Sequence, residues 1–397
     1  MPQDRRDRLL ATVEALQAID RPPASPGERA AAEWIRDALV AEGVAVRLEE
    51  EPATGSFAVP VALLAALGAA AGLTRRGRGV PAVAGLAAGA GIADDVSGGA
   101  HWFRRLALPR RLTTNVVGEL GPPDGPETVV FVAHHDAANG GLVFHPGPTR
   151  RIADAFPDWY ARQETSPPLM QLVVAGPLLA GLGALLGSRG LRRAGGVAAL
   201  LSALAVGEIA VRGVVPGAND NLAAVAVLLE LARVLQAQPA EDVRVILLST
   251  GAEESFMEGM RGFVARHAGT LDPARTRVVV LECVGGPEAI VLEGEGMLRM
   301  REYTPSTRDW LAAAGTRAGH PLRRGLRSGF ATDALISLKA GLPTAVLASI
   351  DEYKMAANYH SRDDVAANLD LGTVAACVAV CAAAVRSLSP RSAPAPA

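Results

Sequence analysis

Short uninterrupted apolar runs, each followed by a stretch with helical character, recur along this chain and leave few folds open to it. The runs 114–120 (TNVVGEL), 128–134 (TVVFVAH), 243–249 (VRVILLS), 277–283 (RVVVLEC), 288–293 (EAIVLE) and 344–349 (TAVLAS) have the length of strands. Several lack the in-and-out alternation of a strand with one wet face, so they need cover on both sides. Helices are expected at 220–237, 256–268, 306–318, 331–340 and 364–388. Residues 4–50 read as helix, turn, helix, strand, with Ser25 and Glu28 spaced as a capping box and Gly43 as the stop before VAVRLEE. The economical solution is an α/β fold: a mostly parallel, mixed central sheet with helices on both faces. With 397 residues, 49% of them apolar, there is enough material for one large domain with additions or two smaller ones.

Two stretches break the pattern, 56–107 and 142–216. Each holds a pair of apolar segments around a short basic turn: 57–73 and 80–93 about RRGRG, then 170–187 and 195–211 about SRGLRR. They are expected to form two inserted helical hairpins. Segments of this length just reach across a hydrocarbon core of roughly 30 Å, and 80–93 reaches only if the chain past Asp94 and Asp95 contributes. Trp102, Phe103, Trp159 and Tyr160 suit a headgroup belt, whereas Glu208 argues against a helix facing lipid all round. A soluble lid or dimerisation arm is the other reading. The expected organisation is a body built from 1–55, 108–141 and 217–388, interrupted by the hairpins and followed by a disordered tail, 389–397.

Arginines lie on both sides of the hairpins, so the positive-inside rule gives no clear orientation. The charged start, MPQDRRDRLL, has no apolar leader, and this favours a multi-pass protein whose main body faces the cytosol. A net charge of −2, from 39 basic and 41 acidic residues, gives no reason to expect a nucleic-acid partner. Cys283, Cys377 and Cys381 make no disulfide framework.

The chemistry-bearing residues stand where strands end. His134-His135-Asp136 follows TVVFVA, offering an imidazole with a carboxylate at hand. Asp220 lies in GANDN at the mouth of an apolar helix, where it could cap the helix or project into a site. Glu253 and Glu254 are adjacent after VRVILLSTGA; neighbouring side chains diverge, so one can hold a metal while the other reaches water. Glu282 ends an apolar strand, where an unpaired carboxylate would cost several kcal/mol. His360 sits in ANYHSRDDV, before a helix that Asp363 or Asp364 could cap. Two imidazoles and three carboxylates with a spare Glu suit a pair of zinc ions.

In this order, His-x-Asp, GANDN, Glu-Glu, an acid after a strand, then YHS, the chain resembles the co-catalytic zinc aminopeptidases, the family of bacterial leucyl aminopeptidases and glutamate carboxypeptidase, with glutaminyl cyclase sharing the fold. The resemblance implies that His134 and Glu282 hold one zinc, that Glu254 and His360 hold the other, and that Asp220 bridges them. It further implies that Glu253 is the general base, that Asp136 orients His134, and that the substrate is a peptide. The chain departs from the family in carrying Glu282 where Asp is commoner, in the long insertion between Asp136 and Asp220, and in lacking a Tyr near Thr332-Asp333. Arg327 and Tyr353 are the candidates left for oxyanion support. The alternatives are a glutaminyl-cyclase-like acyltransferase, which needs one zinc, and an inactive scaffold or receptor of the same fold.

Overall fold

The computed structural model describes residues 1–75, 77–240 and 242–389, so the tail expected at 389–397 lies outside the described residues apart from Ser389. The strands of the main sheet are β1 (Ala45–Ala53), β2 (Arg111–Leu120), β3 (Glu127–His134), β4 (Val243–Thr250), β5 (Thr276–Glu282), β6 (Glu288–Val291) and β7 (Thr344–Ile350), in the order β1-β2-β4-β3-β5-β7-β6. The four central strands, β4, β3, β5 and β7, run parallel, and the flanking pairs are antiparallel. This is the mixed sheet expected from the sequence, and its parallel centre is where the apolar runs are unbroken.

Alternation along β3 divides the core in two. Val129, Phe131 and Ala133 face a layer formed by α1 (Gln3–Gln17), α2 (Pro26–Ala41) and three later helices: α10 (Ala223–Ala237), α12 (Pro305–Arg317) and α14 (Leu371–Arg386). Val130 and Val132 face α11 (Glu258–His267), α13 (Asp333–Lys339) and the near ends of the hairpins.

The first hairpin is α3 (Ala58–Leu73) and α4 (Gly79–Val96), followed by the short α5 (Trp102–Ala107). Helix α4 does run past Asp94 and Asp95, and the Asp94 carboxylate then accepts from the Ala100 and Trp102 amides at 2.7 and 2.9 Å. The second insertion begins with a 3-10 turn, Leu142–Phe144, and two short helices, α6 (Gly147–Ala155) and α7 (Pro157–Ala161). It then forms its own hairpin, α8 (Leu169–Leu186) and α9 (Arg189–Val211). The two hairpins pack on each other as one four-helix bundle, α3 against α9 and α4 against α8. Helices α8 and α9 are long and apolar enough to cross a membrane, and most of their residues face outward. The helices of the bundle approach closely at small residues: a Cβ on Gly72 would stand 2.3 Å from the Gly196 Cα, and one on Gly85 would stand 2.6 Å from the Gly181 amide, while Val61, Leu64, Ile92 and Ile209 are buried beside them. Large side chains such as Leu182, Leu185, Leu201 and Leu204 point outward. Glu208 lies in the last turns of α9, where its carboxylate accepts from the Leu142 amide at 3.0 Å and pairs with Arg212.

Two local expectations need correction. Neither Asp363 nor Asp364 caps the final helix. A 3-10 turn, Ala366–Asn368, intervenes, and Asp370 caps α14 through the Thr373 amide. The Ser25–Glu28 capping box is only half made: Ser25 accepts from the Glu28 amide at 3.1 Å. The Glu28 carboxylate is drawn inward, to the amides of Ala24, Thr114 and Ala252 and the hydroxyl of Thr113.

Candidate metal centre

Parallel pairing brings the site together before any side chain is considered. His134 and Thr250 are register partners at the ends of β3 and β4, so the turn after β4 begins beside the imidazole. Glu282 closes the next strand, β5, paired through Ala348 with β7. Chain ends from adjacent parallel strands thus converge at one edge, as is usual for α/β sheets.

Asp220 occupies the centre. Its Oδ1 lies 3.1 Å from His134 Nε2, and its Oδ2 lies 3.2 Å from His360 Nε2. Glu254 approaches His360 Nε2 at 3.3 Å, and Glu282 approaches His134 Nε2 at 3.8 Å. Glu253 stands 4.0 Å from His134 Nε2. The Nδ1 side of His134 faces Asp136 at 3.3 Å. A ligand atom from each of His134, Asp220 and Glu254 lies within 4.8 Å of the other two, and Asp220, Glu282 and Cys283 form a second such group. All seven residues singled out in the sequence therefore meet.

Asp220 is delivered by a braced loop rather than by helix capping: α10 begins at Ala223 with no side-chain cap. Gly217 takes the left-handed conformation, φ +65, and a Cβ there would clash with the Arg21 guanidinium and the Asp220 carbonyl. The two asparagines of NDN stitch the loop to the end of β5. Asn219 accepts from the Gly285 amide at 2.7 Å, while Asn221 donates to the Leu281 carbonyl and accepts from the Cys283 amide. Asp364 receives the amides of Asn219 and Asp220 at 2.6 and 3.1 Å, and this is where the residue expected to cap a helix is used. Burial raises the Asp364 pKa to about 7.

The Glu253–Glu254 turn is held as firmly. Ala252, Phe256 and Met257 all have positive φ without being glycine, a conformation costing on the order of 1 kcal/mol or more per residue. Asp136 accepts from the amides of Glu253 and Glu254 at 3.1 and 3.0 Å, and Glu28 accepts from the Ala252 amide at 2.9 Å. One carboxylate, Asp136, thus faces the imidazole and fixes the turn together.

The electrostatics fit a cation. Burial opposes protonation of His134, but Asp136, Asp220 and Glu282 outweigh it and hold its pKa well above the ordinary value. Burial likewise opposes His360, and Glu254 and Asp220 push it up to about 10. Burial, with the charges of Glu254, Glu282 and Asp333 reinforcing it against His134, raises Glu253 well above the carboxylate range. Asp220 Oδ2, Glu282 Oε2 and His360 Nε2 are buried without a hydrogen-bond partner. Buried orphan donors and a surplus of carboxylates over imidazoles are what a hard or borderline divalent ion relieves. The residues present fit zinc.

Several residues beyond the seven singled out in the sequence shape the site. Arg21 is fully buried and donates to the backbone carbonyls of His135, Pro216 and Gly217, tying the His134 and Asp220 segments together. Thr250 donates to Asp333 at 2.5 Å, and burial raises the Asp333 pKa to about 7. Tyr359 stacks on the His360 ring at 3.9 Å, and Phe144, from the second insertion, meets that ring edge-on at 4.3 Å. Of the oxyanion candidates, Arg327 is engaged by Glu302 and Glu164, and the Tyr353 hydroxyl by Asp154.

The model for peptidase family M28 matches residues 204–385, a span that contains Asp220, Glu253, Glu254, Glu282 and His360. Solved structures share the fold along nearly the whole chain. A zinc-dependent exopeptidase of Parabacteroides distasonis has a TM-score of 0.56 at 13% identity over 96% of this chain and 97% of that one. A leucine aminopeptidase precursor of Bacteroides thetaiotaomicron has 0.56 at 16%, over 97% and 98%. A glutaminyl cyclase of the same organism has 0.58 at 15%, over 97% and 99%. No curated protein matches the sequence. The family match bears out the resemblance to the zinc aminopeptidases, and the solved structures show the shared fold.

Proposed function

We propose that this chain is a membrane-anchored aminopeptidase whose centre holds two zinc ions. The observation that carries this reading is Asp220, whose two oxygens are each faced by an imidazole Nε2 from opposite sides. His134 and Glu282 would hold one ion and Glu254 and His360 the other, with Asp220 as the carboxylate that would serve both. Zinc supplies Lewis-acid polarisation of the scissile carbonyl and a water of lowered pKa. Glu253 would serve as the base: a carboxyl whose pKa is raised by burial is suited to take a proton from the attacking water and to release it to the leaving amine. Asp136 faces Nδ1 of His134 at 3.3 Å, a placement that would favour the proton on Nδ1 and leave Nε2 to the metal.

The bundle is the membrane anchor. Its packing, with small residues within and leucines without, suits a lipid environment, and the segments 56–107 and 142–216 supply it. The catalytic body then sits at the bilayer surface, facing the cytosol.

The test is a screen of peptides with free and blocked N-termini on the full-length protein, with metal content measured in parallel. Expected are two zinc per chain, cleavage of free N-termini only, and a loss of about 10²–10⁴-fold in kcat for Glu253→Gln with zinc retained. A metal-replete chain without zinc, or a Gln variant as active as the parent, sinks the mechanism. Carbonate washing should leave the chain in the membrane, and protease digestion of sealed vesicles should report the side. The cyclase reading draws on neighbours of the same fold. It predicts ring closure of N-terminal Gln peptides at one zinc per chain, and both His134 and Glu282 facing Asp220 favour the dizinc reading over it.

A further inference from the structure

Arg104 lies in α5, just after the first hairpin, and is completely buried. Its guanidinium binds in three directions. Nε and Nη2 pair with Asp95, at the end of α4, at 3.2 and 3.1 Å. Nη1 donates to the Ser255 carbonyl at 2.6 Å and lies 3.5 Å from Glu258. The Phe256 ring lies under the cation at 5.3 Å. Glu258 in turn receives the Thr54 amide and hydroxyl, at 2.8 and 2.9 Å, the Gly55 amide at 3.2 Å and the Ser255 hydroxyl at 2.5 Å.

One cation and one carboxylate therefore join both ends of the first hairpin to Ser255 and Phe256. Thr54–Gly55 is where the chain leaves for α3, and Asp95 is where it returns. Ser255 directly follows Glu253 and Glu254. On its other side the same turn is held by Asp136 and Glu28 from the body of the fold. A turn with three left-handed residues keeps its shape only under such opposed restraint.

We propose that Arg104 is a positioning residue for Glu253 and Glu254, so that the seating of the apolar hairpin sets the geometry of the centre. The proposal rests on the reading of Glu253 as base and Glu254 as ligand. A simple buried ion pair needs only Asp95. The bond to Ser255 is the additional element, and it requires the planar fork of arginine, which can address a carboxylate and a carbonyl at once.

The experiment compares full-length Asp95→Asn, Arg104→Lys and the double variant Arg104→Met/Asp95→Asn, which removes the Arg104–Asp95 pair as a whole and leaves Glu258 on its bonds to Thr54, Gly55 and Ser255. Readouts are kcat and KM separately, zinc affinity, and amide hydrogen exchange at residues 252–258 against β3. In the double variant kcat falls about 100-fold with KM changed by no more than about threefold, exchange accelerates at 252–258 alone, and zinc is held less tightly. Asp95→Asn keeps the bond to Ser255 and stays within about threefold of the parent, with Arg104→Lys between the two. Unchanged kcat and exchange in the double variant overturn the proposal, as does Asp95→Asn proving as damaging as the double, which reduces the network to fold stability. If the double variant does not fold, Arg104→Lys decides in the same terms. Should the parent protein cleave no peptide, the proposed function fails, while exchange at 252–258 still decides the clamp.

Discussion

The sheet body and the helical bundle differ in how their elements meet and in what they expose. In the body, Phe131, Leu247 and Val279 are wholly inside. In the bundle, Gly72, Gly85, Gly181 and Gly196 are at the helix contacts, while Leu182, Leu200, Leu201 and Leu204 look outward. Water drives large apolar side chains inward, and that force organises the body. Lipid exerts no such force between helices, so close backbone approach through small residues becomes the available source of cohesion. On the proposed membrane reading the two regions follow the rules of two solvents, and the network around Arg104 lies at their border.

The comparison breaks first in the body if it is wrong. Phe131→Ala removes a fully buried ring from the face that packs under α10 and α14, and is expected to cost about 3–5 kcal/mol, read as a lower urea midpoint of the solubilised protein. A loss under about 1 kcal/mol would mean that the sheet is not held by its apolar interior.

Replacing Leu204, which is 62% exposed on α9, by lysine sets the two solvents against each other. In a bilayer an ionised group near mid-helix costs about 2.5–3.5 kcal/mol of insertion free energy, seen as reduced membrane yield and a lower melting temperature in lipid. On a water-facing lid the same change would be neutral or would improve solubility. The sign of the effect, not only its size, separates the readings.

The sequence made the strand ends legible because parallel, doubly covered strands are apolar runs, and an acid or imidazole that ends one stands out. His134, Glu254 and Glu282 were found in that way, and Asp220 and His360 by their place in GANDN and YHS. What escaped was the bracing. Arg21 and Arg104 look like surface charges in sequence, since a lone Arg is nearly always solvated, and Glu28 reads as half of a local capping box. Only the fold shows them closed over backbone carbonyls and amides from segments far apart in the chain. Asp364 was singled out for the wrong task for the same reason: an Asp before a helix has a local use as a cap, and its distant use on the amides of Asn219 and Asp220 has no local signature. The hairpins were visible as apolar segments, yet their union into one bundle was not, because glycine contacts between α3 and α9 or α4 and α8 leave no periodic trace that distinguishes a partner.

The smallest effect tests the bundle interior. Gly181 meets α4 so closely that a Cβ would stand 2.6 Å from the Leu86 amide, a backbone atom that cannot swing aside. Gly181→Leu must therefore part α8 from α4, at about 1–3 kcal/mol if the packing relaxes as other overfilled interiors do. Leu204→Ala, which trims an outward side chain without adding charge, should cost less than about 1 kcal/mol by comparison. Thermal unfolding in matched lipid reads both. If Gly181→Leu is tolerated while Leu204→Ala is not, the bundle is organised by its large residues as the sheet body is, and the contrast between the two regions disappears. The expected order, glycine over leucine, follows from where the two positions stand, Gly181 at a backbone contact between helices and Leu204 exposed on the outer face.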